Sequence, residues 1–332
     1  MSRARSAERF LVTGALGCIG AWTIRQLVRE GAPVVAFDLG RDARRLALVM
    51  PPEDLSRVTF VQGDITNLAA IEHAIDEQDV TNVIHLAALQ VPFCRANPPL
   101  GARVNVVGTV NIFEAVAKRR ERIDRVVYAS SIAIYDAADA DPAGAVSHGM
   151  LGHPMTLYGV YKQANEGTAR VYSQDAKVSS IGLRPCIVYG PGRDQGLTSS
   201  PTKAMFAAAA GKPFHIPFGG RSDYQYAEDV AKAFIAAARA PFAGAEVFNL
   251  RGSVAHMREL VAAIEAAAPE AGGAITFADN TLPFPEEYDA APLVELIGPL
   301  PHTPLQEAVT NTLACFRVAL ASGQMAPDAM LQ

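Results

Sequence analysis

VTGALGCIG, residues 12–20, decides how this chain folds. An apolar run from Arg9 to Thr13 leads into it and a helical pattern from Ile19 to Glu30 leads out, so the glycines sit at a strand-to-helix turn. Each has a task there: Gly14 permits the tight turn, Gly17 lets a pyrophosphate approach the backbone, and Gly20 allows the helix to pack close to the sheet. The helix presents free N–H groups and a positive dipole end to the phosphates, with Leu16, Cys18 and Ile19 of the same turn flanking them. Such glycines also occur as plain turn residues, so position must decide. The second strand ends at Asp38, eighteen residues past Gly20. A carboxylate there accepts hydrogen bonds from both adenine-ribose hydroxyls and repels a 2′-phosphate, which predicts NAD rather than NADP. Arg41, Arg44 and Arg45 read as a solvated helix face, although they could soften that preference.

Outward from this turn, short β-branched runs alternate with longer segments of helical period, the pattern of parallel βαβ units. Strands are predicted at Arg9 to Thr13, Val34 to Phe37, Val58 to Gln62, Asn82 to Ala87, Arg125 to Ser130 and Ser179 to Arg184. Helices are predicted at Ile19 to Glu30, Leu68 to Glu77, Val104 to Arg119 and Leu157 to Gln174. Strands this continuously apolar imply helices on both faces of the sheet. The fold class is therefore α/β, a Rossmann-type doubly wound parallel sheet with a smaller C-terminal substrate-binding lobe. After Arg184, proline and glycine recur at 185, 190, 191, 192, 196 and 201 and again around 211 to 220, which reads as loops over a site rather than more sheet. A helix from Tyr226 to Ala238, a strand from Glu246 to Leu250 and helices near Met257 to Ala268 and Pro304 to Ala321 follow. The expected division is residues 1–184 as the NAD-binding domain, with 222–252 returning to it, and 185–221 plus 253–332 as the substrate lobe.

Of the 332 residues, 50% are hydrophobic, and the net charge of −5 gives no reason to expect nucleic acid or an anionic membrane as partner. A small hydroxylated molecule fits better. Cys18, Cys94, Cys186 and Cys315 lack the paired spacing of zinc or redox sites, and the histidines show no metal-ligand pattern. His85, inside an apolar strand, reads as a satisfied core residue. No metal is implied. Arg3 and Arg5 precede an apolar run too short for a signal-peptide core, and no run approaches the roughly 20 residues of a spanning helix. A cytoplasmic location is expected.

Tyr158 and Lys162 stand four apart in a helical segment, on one face. A tyrosine with an ordinary pKa near 10 is a poor base, but a cation about 4 Å away at an effective dielectric near 20 contributes on the order of 4 kcal/mol, about three pKa units less desolvation. A chance YxxxK is expected about 0.16 times in such a composition, so the pair alone is only suggestive. Position strengthens it, because the strand Arg125 to Ser130 ends at Ser131, and ligands of open α/β sheets sit outside the strand carboxyl ends. Ser131 would hold the substrate oxygen while Tyr158 takes or gives its proton; the alternative for Ser131 is an N-cap.

These residues resemble the extended short-chain dehydrogenase/reductase family, which includes UDP-galactose 4-epimerase and the NAD-dependent epimerase/dehydratases. In order, the matching segments are VTGALGCIG, Asp38, QGDIT with Asp64, VIHLAA at 83–88, VNVVGTVNIFEA at 104–115, YASS, YGVYK, LRPCIVYGPG at 183–192 and YQYAEDVAKAF at 224–234. The resemblance implies that Asp64 and Ile65 flank the adenine, that Leu86, Ala87 and Ala88 line the cofactor with Pro185 and Ile187, and that Asn105 braces the active site. It also implies a homodimer through the helices carrying Asn105 and Tyr158.

Departures from the nucleotide-sugar members bear on substrate. Their RxxN reads here Arg184-Pro185-Cys186-Ile187, and Ile187 cannot make the asparagine's hydrogen bond. Their diphosphate-gripping arginine reads as Ser222 before Asp223 and Tyr224, with Arg221 one place early. Ile132 and Ala133 replace the Asp-Glu pair of the dehydratases, which disfavours loss of water. The leading expectation is a dehydrogenase acting on a secondary hydroxyl of a sugar, sugar acid or similar polyol. The alternatives are an epimerase that keeps its cofactor bound, and a redox-silent NAD sensor, which would have no need of Ser131, Tyr158 and Lys162 together. Candidate substrate contacts are Gln90, Ser131, Cys186, Arg193, Thr198 and Tyr224. The segment 284–298 should close part of the pocket, and its Glu286, Glu287 and Asp289 argue against an anionic substrate beside them.

Overall fold

A computed structural model describes residues 8–141 and 145–331; Arg3 and Arg5 lie outside the described residues. Seven parallel strands form the central sheet, in the order Thr59–Gln62, Val34–Asp38, Phe10–Thr13, Asn82–His85, Arg125–Ala129, Ser179–Arg184 and Ala245–Asn249. Alternation along the strands divides the core. Leu11, Val35, Val83 and Val126 face the helices Leu68–Glu77, Gly108–Ala117 and Leu157–Asp175, whereas Phe10, Val12, Ala36, Ile84 and Val127 face Cys18–Arg29 and Ala227–Arg239. The second apolar cluster continues without a break into the C-terminal helices Met257–Ala267 and Leu305–Ala321. The strand order reverses between Phe10–Thr13 and Asn82–His85, which opens a crevice at the carboxyl ends of those two strands.

Two expectations are corrected. The segment after Arg184 is not only loop: Ile187–Tyr189, Arg221–Tyr226 and Ser253–His256 form a second, three-stranded sheet, and Ser200–Ala209 is a helix. Pro201 looked like a breaker but occupies the first helical turn, where a missing N–H costs nothing. The helix predicted from Val104 begins instead with a wide π-helical turn, Arg103–Val107, before the regular Gly108–Ala117. Wide turns of this kind are commonly retained at functional sites, and this one carries Asn105.

Candidate active site

A cleft of about 570 Å³ occupies the crevice, and every side chain or turn named above as a cofactor, catalytic or substrate candidate faces it except Asn105 and Tyr224. At its closed end the helix Cys18–Arg29 starts at Gly17 with no side-chain cap and no acidic residue in its first turn, so its leading N–H groups are free for an anion. A Cβ on Gly17 would meet only the Gly14 carbonyl oxygen, at 3.1 Å, and would otherwise stand in the groove. Asp38 is held at the rim, its Oδ2 accepting from the Leu16 N–H and its Oδ1 from the Gly40 N–H, both at 3.0 Å. Free helix N–H groups, an unobstructed glycine backbone and an oriented carboxylate together fit a dinucleotide. Each of the three arginines after Asp38 has a protein partner. Arg41 donates to Gln62 Oε1, Arg44 pairs with Asp42 and Asp194, and Arg45 donates to the Leu16 carbonyl and pairs with Asp194 at 2.7 Å. Reading Arg45 as a solvated surface residue was therefore wrong; it ties the adenine-side helix to the loop after Tyr189.

At the open end, the close packing of Gly159 places the two hydroxyls together. A Cβ on Gly159 would stand 2.1 Å from the Ala133 carbonyl oxygen, so only glycine lets the Tyr158 helix press onto the turn that carries Ser131. The Ser131 hydroxyl reaches the Tyr158 phenol by hydrogen bond, and it also accepts from the Ala133 N–H at 3.1 Å, so its capping and site roles coexist. Lys162 is buried under the phenol, its Nζ 5.6 Å from the ring centroid and donating to the Ala129 carbonyl at 2.6 Å. Burial pulls its pKa down to about 8. Burial also pushes the Tyr158 phenol up, opposed by the Ser131 hydrogen bond and by the charge of Arg193. Lys162, the cation expected to act on the phenol, lies against its ring with the ammonium on a backbone carbonyl, and the charge of Arg193 favours the ionised phenol as well.

Behind the cleft, Asn105 holds the wall rather than lining it. Its Oδ1 accepts from the Leu89 N–H at 2.7 Å and its Nδ2 donates to the Leu89 carbonyl at 2.9 Å, which fixes the segment that carries Leu86 to Gln90. Tyr224 does not reach the cleft. It is 1% exposed, on the inner face of the strand Arg221–Tyr226, with its hydroxyl toward Met257; alternation along that strand turned it into the core. His85 sits between Thr13 and Thr109 hydroxyls at 2.7 and 3.1 Å, and burial holds it neutral by lowering its pKa to about 3. Sequence reasoning missed Asp194, Gly196 and Leu197, which also line the cleft, whereas Phe284 borders it from the segment expected to close the pocket. The proline and glycine density around the first three marked a loop, but not which of its side chains turn inward.

Comparison with known proteins agrees with this geometry. Residues 10–250 match the model of the NAD dependent epimerase/dehydratase family. The chain is 30% identical to a UDP-glucose 4-epimerase of Mycolicibacterium smegmatis, over 93% of this chain and 98% of that one. Among solved structures it is similar to the UDP-glucose 4-epimerase of Thermus thermophilus in complex with NAD, at 28% identity and a TM-score of 0.77, covering 94% of this chain and all of that one. A partial consensus L-threonine 3-dehydrogenase superposes with a TM-score of 0.81 over 93% of this chain and 99% of that one; at 22% identity this is a likeness of fold.

Proposed function

Because this chain belongs to the NAD-dependent epimerase/dehydratase family, we propose that it is a dehydrogenase oxidising a secondary hydroxyl of a sugar, sugar acid or similar polyol, with Tyr158 as the base. It is an enzyme and its cofactor is NAD. The dinucleotide, when bound, supplies the hydride acceptor. Tyr158, its own proton first released to solvent, takes the hydroxyl proton as the phenolate; Ser131 holds the substrate oxygen, and the Lys162 ammonium, anchored on Ala129, keeps the site positive.

One observation favours net oxidation over epimerisation of a nucleotide sugar. Arg221, the residue nearest the diphosphate-gripping position of the relatives, pairs with Glu286 and Glu287 at the exposed end of its strand and does not line the cleft. At that position a diphosphate would find no cation. Incubation with NAD and a panel of polyols, aldonates, free sugars and UDP-sugars, followed by nicotinamide absorbance, tests this. Accumulating NADH is the expected outcome; turnover of UDP-glucose with no absorbance change would replace it by the epimerase. Tyr158→Phe should lower turnover by about 10²- to 10⁴-fold while NAD still binds, and full retained turnover would remove Tyr158 from its role.

We assign the substrate lobe to 185–221 and 253–332, and propose a cytoplasmic homodimer. The four cysteines are free thiols, which supports the compartment. Leu100, Val107, Leu157 and Val160 lie 43–45% exposed around the helices of Asn105 and Tyr158, which supports that face as the interface.

A further inference from the structure

Resting on the proposal that the Tyr158 site oxidises a hydroxyl, we infer that Arg193, with Thr198 and Gln90, seats a carboxylate of the substrate, so that the enzyme takes a hydroxy acid rather than a neutral sugar or polyol. The charges of residues 193 and 194 are separated by the turn of the chain. Asp194, although it also borders the cleft, is shared by Arg44 and Arg45. Arg193 faces the cleft, and among the described residues no carboxylate lies within ion-pair distance of its guanidinium. Its one side-chain partner is the neutral Thr198 hydroxyl, at 3.3 Å, and its Nε is sealed from solvent with no partner. A half-buried guanidinium without a counterion is costly unless a ligand completes it.

The surroundings define that ligand. Gln90 Oε1 is likewise sealed and unpartnered, and rotation of the amide would offer its N–H₂ instead. Gly196, at φ +99°, lets these groups converge: a Cβ there would stand 2.2 Å from Gln90 Oε1 and 3.1 Å from Arg193 Nη2. Arg193, Thr198 and Gln90 line the same cleft as Ser131 and Tyr158, so the seat shares a pocket with the reacting hydroxyl. One planar guanidinium with two neutral donors matches a single carboxylate; a diphosphate would bring two charges to one cation. The cofactor phosphates have their own donors at the Gly17 helix start. The acidic residues that argued against an anion do not oppose it: Glu286 and Glu287 pair with Arg221, Glu287 also with Arg251, Asp289 caps the Ala291 N–H, and none of the three lines the cleft.

The test compares kcat/KM for aldonates (erythronate, xylonate, gluconate) with the corresponding alditols in wild type, Arg193→Gln and Arg193→Lys, alongside NAD affinity, gluconate binding to the NAD-loaded enzyme by calorimetry, and melting temperature. Wild type should prefer the aldonates. Arg193→Gln should cut that preference about a hundredfold, chiefly through KM, and Arg193→Lys should restore part of it. A preference unchanged by Arg193→Gln, or a loss of NAD affinity in its place, overturns the proposal, the latter by assigning Arg193 to the cofactor. Turnover of UDP-glucose with no aldonate bound or oxidised overturns it too. Gluconate that binds wild type but not Arg193→Gln, without being oxidised, upholds the seat and rejects the dehydrogenase reading.

Discussion

Tyr158 owes its place to its neighbour Gly159 as much as to the YxxxK spacing. Any side chain at 159 collides with the Ala133 carbonyl, so Gly159→Ala should wedge the helix off the Ser131 turn. The expected cost is about 1–3 kcal/mol of stability together with a fall in kcat, read by urea melts and initial rates; unaltered kinetics would mean that the contact does not position the pair. Asp223 makes a prediction in pH. It is fully buried, accepting from the Gly252 N–H and Gln225 Nε2 at 2.8 Å each, and burial pushes its carboxyl from an ordinary 3.8 up to about 6. Between those values the native state binds the proton that the unfolded chain has released, so this group's contribution to stability falls as pH rises through that window and is at its least above 6. Asp223→Asn should flatten that part of the Tm-against-pH curve, and an unchanged slope would refute the assignment. Residue chemistry of this kind was half legible. Tyr158, Lys162 and Ser131 followed from spacing and position, but burial of Asp223 and the inward turn of Tyr224 depend on strand pairings that local pattern does not specify.

Between elements, the site is held by a polar knot behind Ser131. Glu166, on the helix of Tyr158, accepts from Arg184 Nε and Nη2 at 2.8 and 2.7 Å and from Ser130 Oγ at 2.5 Å, while Arg184 Nη1 donates to Tyr135 Oη at 2.6 Å. Helix, strand end and active-site turn are thereby fixed to one another. Glu166→Ala would strand a guanidinium that is 8% exposed, with an expected loss of about 3–5 kcal/mol, whereas Glu166→Gln keeps the shape and should lose less. Equal Tm values for wild type and Glu166→Ala would dismiss the knot. Most elements were legible within a residue or two because strong alternation and helical period are local. The strands Ile187–Tyr189 and Phe214–Ile216 were not, since three residues carry no readable period and each exists only because a distant strand pairs with it.

For the molecule as a whole, the exposed apolar residues on the helices of Asn105 and Tyr158 predict a dimer by sedimentation and a monomer for Val160→Asp. A dimer that survives Val160→Asp would place the interface elsewhere. The glycine turn, Asp38 and the order of motifs sufficed to specify a doubly wound sheet and NAD as cofactor, and to nominate Ser131, Tyr158 and Lys162 as the candidate trio, because each is written in contiguous residues whose conformational demands are local. Tertiary structure alone decided which cations remain free. Arg45 and Arg221 are consumed by partners far along the chain, Asp194 and Glu287, while Arg193 is left facing the cleft. Charge pairing depends on three-dimensional proximity, and loop residues adjacent in sequence can take quite different partners.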